Sequence, residues 1–128
     1  MRYFVLAACT TLLVAARGVD AQEANPKEMD AIAEIARCLV KGLPEDWAIA
    51  HMVVELRTPG ASTGGVRYVV ARKEQDKLEN FTPCDTDRPA NILMGLRETQ
   101  PQERRGWIVA RLSVERDGSF RLNYDFPK

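Results

Sequence analysis

Apolar residues recur along this chain with two different periods, and the points where the period changes divide it into elements. Ile32, Ile35, Ala36, Leu39 and Val40 fall at helical spacing and define one apolar face. Asn25-Pro26-Lys27-Glu28 precedes them with three start signals. Asn25 suits an N-cap, Pro26 suits the first turn, and Glu28 stands where a capping box needs its carboxylate. The spacing predicts a helix from Asn25 that stops at Gly42, with Cys38 at the flank of its apolar face. From Trp47 to Arg57 the period becomes two. Ala48, Ala50, Met52, Val54 and Leu56 point one way, toward the helix, and Trp47, Ile49, His51, Val53, Glu55 and Arg57 point the other.

Residues 58–65, rich in Gly, Ser, Thr and Pro, form a flexible connection, and Val66 to Arg72 read as a second strand closing a hairpin. Lys73 to Asp87 is polar and irregular. A short second helix follows, about Pro89 to Glu98, burying Ile92, Leu93 and Leu96. Trp107 to Arg116 reads as a third strand with Ile108, Ala110, Leu112 and Val114 inward and Trp107, Arg111 and Glu115 outward. Asp117-Gly118 marks a tight turn, and Phe120, Leu122, Tyr124 and Phe126 alternate on the returning strand. The order α-β-β-α-β-β predicts an α+β fold, an antiparallel four-stranded sheet with helices on one face.

The N-terminus changes the picture of where the protein works. Arg2 is followed by an apolar run from Phe4 to Ala16, and Val19-Asp20-Ala21 suits a signal peptidase. The run is shorter than the roughly 20 residues that span a bilayer. Residues 1–21 are therefore expected to be a cleavable signal peptide, cut after Ala21, and residues 22–128 a single exported domain without a membrane anchor. Leu6-Ala7-Ala8-Cys9 has the local form of a lipoprotein signal, but apolar residues continue past Cys9, which favours ordinary cleavage. An oxidising compartment turns Cys38 and Cys84 into an expected disulfide. Closing that loop of about 46 residues stabilises a fold by roughly 4 kcal/mol in the chain-entropy view.

Charge and motifs then narrow the chemistry. The chain carries 18 basic and 18 acidic residues, so it lacks the basic excess that nucleic-acid binding uses. There is no Gly-rich phosphate loop and no G-x-S-x-G turn. One His and two distant Cys do not make a zinc site, and no cofactor is expected. His51 with Glu55 is the one pairing suited to proton transfer, and a half-exposed strand histidine is the plainer reading. Glu79, Asp85 and Asp87 lack the spacing of a calcium loop. Asn80-Phe81-Thr82 fits a glycosylation acceptor, a pattern common by chance. What remains is surface: Trp47, His51, Glu55, Arg57, Trp107 and Arg111 form an expected partner-binding row of aromatic and charged residues on the helix-free face.

Leu43-Pro44-Glu45-Asp46-Trp47 after the leading helix, then Trp107 ahead of Asp117-Gly118-Ser119-Phe120 and the close Asn123-Tyr124-Asp125-Phe126-Pro127, resembles the YezG-like immunity proteins. The likeness runs from about Met29 to Pro127. It implies a small non-enzymatic α/β protein that binds and neutralises a cognate bacterial toxin. YezG-like proteins mostly meet nuclease toxins in the cytoplasm, so an exported relative implies a toxin acting outside the inner membrane. The expectation is a periplasmic immunity protein whose partner is a secreted toxin. The alternative is a periplasmic module holding a small molecule or peptide between helix and sheet.

Overall fold

At Asn25 the chain leaves an extended conformation and enters helix α1 (Pro26–Val40). The computed structural model describes residues 18–20, 25–62 and 64–128. The expected capping box is formed: Asn25 Oδ1 accepts from the Glu28 backbone N–H at 2.9 Å, and Glu28 Oε1 accepts from the Asn25 N–H at 3.0 Å. These bonds satisfy donors that a helix start otherwise leaves orphaned. Ile32, Ile35, Cys38 and Leu39 form the buried face. The helix ends beside Gly42, whose small size has a positional cause. A Cβ there would lie inside van der Waals contact with the Thr82 carbonyl, so glycine lets the 82–84 segment pass against the helix end.

Six strands build one antiparallel sheet: β1 (Gly18–Asp20), β2 (Trp47–Leu56), β3 (Gly64–Arg72), β4 (Leu78–Asn80), β5 (Val109–Glu115) and β6 (Phe120–Asp125). Their spatial order is β1-β6-β5-β2-β3-β4. The α+β class matches the expectation, but the strand number does not. Five strands lie in the domain from Pro26 onward, and β1 adds a sixth at the β6 edge. The strand missing from the expected four is β4. It sits in the stretch read as irregular, where Val69, Val70 and Ala71 pair with Asn80, Glu79 and Leu78. Arg72 holds it from the neighbouring strand, through Nε to Glu79 at 3.1 Å, while its other nitrogen reaches Asp46 at 2.6 Å.

Helix α2 (Arg88–Arg97) lies one residue earlier than expected at each end. It packs with α1 over the same side of the sheet. Ile32, Ile35 and Leu39 from α1, Leu93 and Leu96 from α2, and Met52, Val54, Ala110, Leu112, Val114, Leu122 and Tyr124 from the strands make one buried cluster. The β5–β6 turn uses Asp117-Gly118 as expected. Gly118 takes a positive φ of 96°, and Asp117 accepts from the Ser119 N–H and hydroxyl. Cys38 and Cys84 form a disulfide, and the Cys84 N–H donates to the Cys38 carbonyl at 2.9 Å.

No helix among the described residues is long and apolar enough to cross a membrane. The segment read as a signal peptide, residues 1–21, lies outside the described residues apart from β1, and so does Cys9.

Candidate functional site

Both helices cover one face of the sheet, and among the described residues no element covers the other. Side chains of β2, β3, β5 and β6 alternate onto this open face by the period of two. The register brings them into rows: Val69, His51, Ser113 and Arg121 in one, Arg67, Val53, Arg111 and Asn123 in the next. Ile49, His51, Val53 and Val69 are half-buried at the centre, while Glu55, Arg67, Arg111, Arg121 and Asp125 are exposed around them. Two ion pairs brace the rim, Arg111–Asp125 at 2.6 Å and Arg67–Glu55 at 3.8 Å. Both are solvent-exposed, so they order side chains more than they stabilise the fold.

His51 is the chemical centre of that face, but with a different neighbour from the expected one. Its Nδ1 lies 2.8 Å from the Ser113 hydroxyl. Glu55 instead faces Arg67, so the structure does not assemble a His–Glu pair. Burial lowers the His51 pKa below its ordinary value, which favours the neutral imidazole that a hydroxyl partner accommodates. A neutral imidazole and a serine hydroxyl are the first two members of a nucleophile–base arrangement. They stand here on a regular ladder whose backbone N–H groups bond the adjacent strands, so those groups are not aimed to stabilise an oxyanion. Two tyrosines are held protonated elsewhere: burial, with Asp87 and Asp85 near Tyr68 and Glu28 near Tyr124, pushes both up to about 12.

The expected surface row needs two corrections. Trp107 is 1% exposed and belongs to the core. The chain bends at Ile108, before β5 begins at Val109, so the two-residue alternation does not extend back to Trp107. The indole stacks on Tyr124 with centroids 5.6 Å apart and lies under the Arg97 guanidinium at 5.9 Å. Arg97 is itself buried and donates to the Ala61 carbonyl at 2.9 Å, tying the β2–β3 connection to α2. Trp47 is displaced for a related reason. A β-bulge between Trp47 and Ile49 sets Trp47 opposite Arg72, on the side of Val70 and Tyr68, where it packs on the core cluster. Arg116 covers its outer surface at 5.6 Å.

His51, Glu55 and Arg111 do share the open face, and Arg57 is exposed just past the end of β2. Val53, Val69, Ser113 and Arg121 complete the patch and were not singled out by sequence. Their parity was legible, but which strands lie side by side was not.

Elsewhere the acidic set separates. Glu79 faces Arg72, while Asp85 Oδ1 accepts from the backbone N–H groups of Asp87 and Arg88. Among the described residues no group of three His, Cys, Asp or Glu side chains is placed to hold a metal ion. An apolar hollow of about 150 Å³ lies between α1 and the β5–β6 hairpin, lined by Met29, Ile32, Ala33, Ala36, Val114 and Phe120. It is smaller than the roughly 300–1,000 Å³ of most ligand pockets. Beside Asp85, Arg88 and Asn91 is a wider depression of about 500 Å³, open to solvent. Comparison with known proteins finds neither a family model nor a curated sequence that matches the chain.

Proposed function

We propose that this protein is a periplasmic immunity protein: exported, cleaved after Ala21, and without catalysis of its own. It binds a cognate secreted toxin and occludes the toxin's active site. The observation that carries this reading is the open sheet face. Its half-buried centre of Ile49, His51, Val53 and Val69 is ringed by Glu55, Arg67, Arg111 and Arg121, the apolar-centre and polar-rim anatomy of a binding surface. A protein interface of ordinary size buries about 800 Å² on each partner. The Cys38–Cys84 bridge suits an oxidising compartment, and the short motifs shared with YezG-like proteins point to the same class.

The test is affinity capture with residues 22–128, followed by Val53→Asp and Arg111→Glu. Both variants should keep the fold and lose the toxin. A toxin held equally well by both would remove this face from the reading. The second reading, a small-molecule module, draws on the hollow beneath α1. It predicts a ligand-dependent rise in melting temperature that Ala33→Phe abolishes.

A further inference from the structure

The sheet has two edges of different character. At one end β4 is three residues long, follows the exposed Lys77, and is anchored by the Arg72–Glu79 pair. Short and charged edges of this kind resist pairing with another chain. At the other end β6 is twice as long. Among the described residues its outer side is occupied only by β1, with Gly18 opposite Asn123, Val19 opposite Leu122 and Asp20 opposite Arg121. All three β1 residues lie before Ala21. Cleavage there, which belongs to the proposal above and on which this inference rests, removes the strand and bares the β6 edge.

The bared edge is complementary to itself. The Glu115 N–H donates to the Ser119 carbonyl. By the alternation of an antiparallel ladder, residues 121, 123 and 125 then turn their backbone groups toward β5. Leu122 and Tyr124 turn theirs outward. A second β6 laid antiparallel about Asn123 brings Leu122 opposite Tyr124 of the second copy, so that these outward groups bond each other. The same register sets Arg121 opposite Asp125 at both ends, and opposite charges facing across strands favour pairing while like charges oppose it. It reproduces the chemistry of β1, an acidic residue opposite Arg121 and an apolar one opposite Leu122. Phe126 of the second copy comes opposite Phe120, which lines the apolar hollow beside Met29 and Ala33.

We infer that the mature chain dimerises through β6, a second copy taking the place of β1 in the register centred on Asn123. The domain from Pro26 onward contains both helices, five strands, the buried cluster and the disulfide, so a chain beginning at Gln22 keeps all of these. Sedimentation of that chain from about 10 μM to 1 mM, the range for a modest interface, should give twice the monomer mass. A chain beginning at Gly18 should dimerise more weakly, because β1 competes for the edge. Arg121→Asp and Asp125→Arg each set like charges face to face and should be monomeric alone. Mixed together they should form a heterodimer, which also shows that both are folded. A chain from Gln22 that stays monomeric throughout the range would overturn the inference, as would single variants that still dimerise or a mixture that does not. Processing in the cell is read separately, by N-terminal sequencing of the exported protein.

Discussion

His51 Nδ1 and the Ser113 hydroxyl meet at 2.8 Å across the junction of β2 and β5, at the middle of the uncovered sheet face. Here His51, the only histidine in the chain, is positioned to make stability depend on pH. Burial lowers its pKa from the ordinary 6.5. The unfolded chain therefore takes up a proton that the folded chain resists, and stability present above that pH is lost as the pH falls through it. Melting temperature should decline from about pH 7 to pH 5, and His51→Gln should flatten the decline in that window. An unchanged slope in the variant would show that other groups carry it.

Two glycines should respond oppositely to the same substitution. At Gly42 an added methyl meets the Thr82 carbonyl, so Gly42→Ala should destabilise by about 1–3 kcal/mol. Gly95 lies in α2 with open space around it. There the gain in helix propensity should stabilise by about 0.5–1 kcal/mol. Urea denaturation of the pair measures both.

Helix α1 and its capping box were legible because their signals are local: Asn25, Pro26, Glu28 and a face of Ile32, Ile35 and Leu39 all lie within a few turns. The hairpin at Asp117-Gly118 was legible for the same reason. Parity counting failed at Trp47 and Trp107, where a bulge and a bend reset an alternation that nothing nearby in sequence marks. Strand β4 carries no amphipathic pattern, since Leu78 is exposed and only three residues pair. The His51–Ser113 contact depends on β5 lying beside β2, a relation between positions 62 residues apart. Such adjacency comes from packing of the whole sheet.

The two tryptophans should report their different surroundings. Trp107 sits between Tyr124 and Arg97 in the core, while Trp47 is partly exposed beneath Arg116. Fluorescence of Trp47→Phe, which leaves only Trp107, should peak at shorter wavelength than that of Trp107→Phe. Trp107→Ala should cost about 3–5 kcal/mol. Equal emission maxima would place both rings in similar surroundings.

Removing the bridge by Cys38→Ala with Cys84→Ala should lower stability by about 4 kcal/mol, and a reductant should do the same to the parent chain. Guanidinium denaturation with and without the reductant provides the comparison. A reductant effect that persists in the double variant would exclude the bridge as its cause.

The Cys38–Cys84 bond also makes all of β2, β3 and β4, and the connections between them, parts of one covalent ring. A protease that cuts the exposed stretch around Thr58 to Gly60 opens the ring without dividing the molecule. The helix-bearing N-terminal piece stays tethered to everything after the cut, and the β2–β3 ladder holds the new ends close. A single cleavage in this exposed connection is thereby survivable. The intact and nicked forms would separate from one another only after reduction.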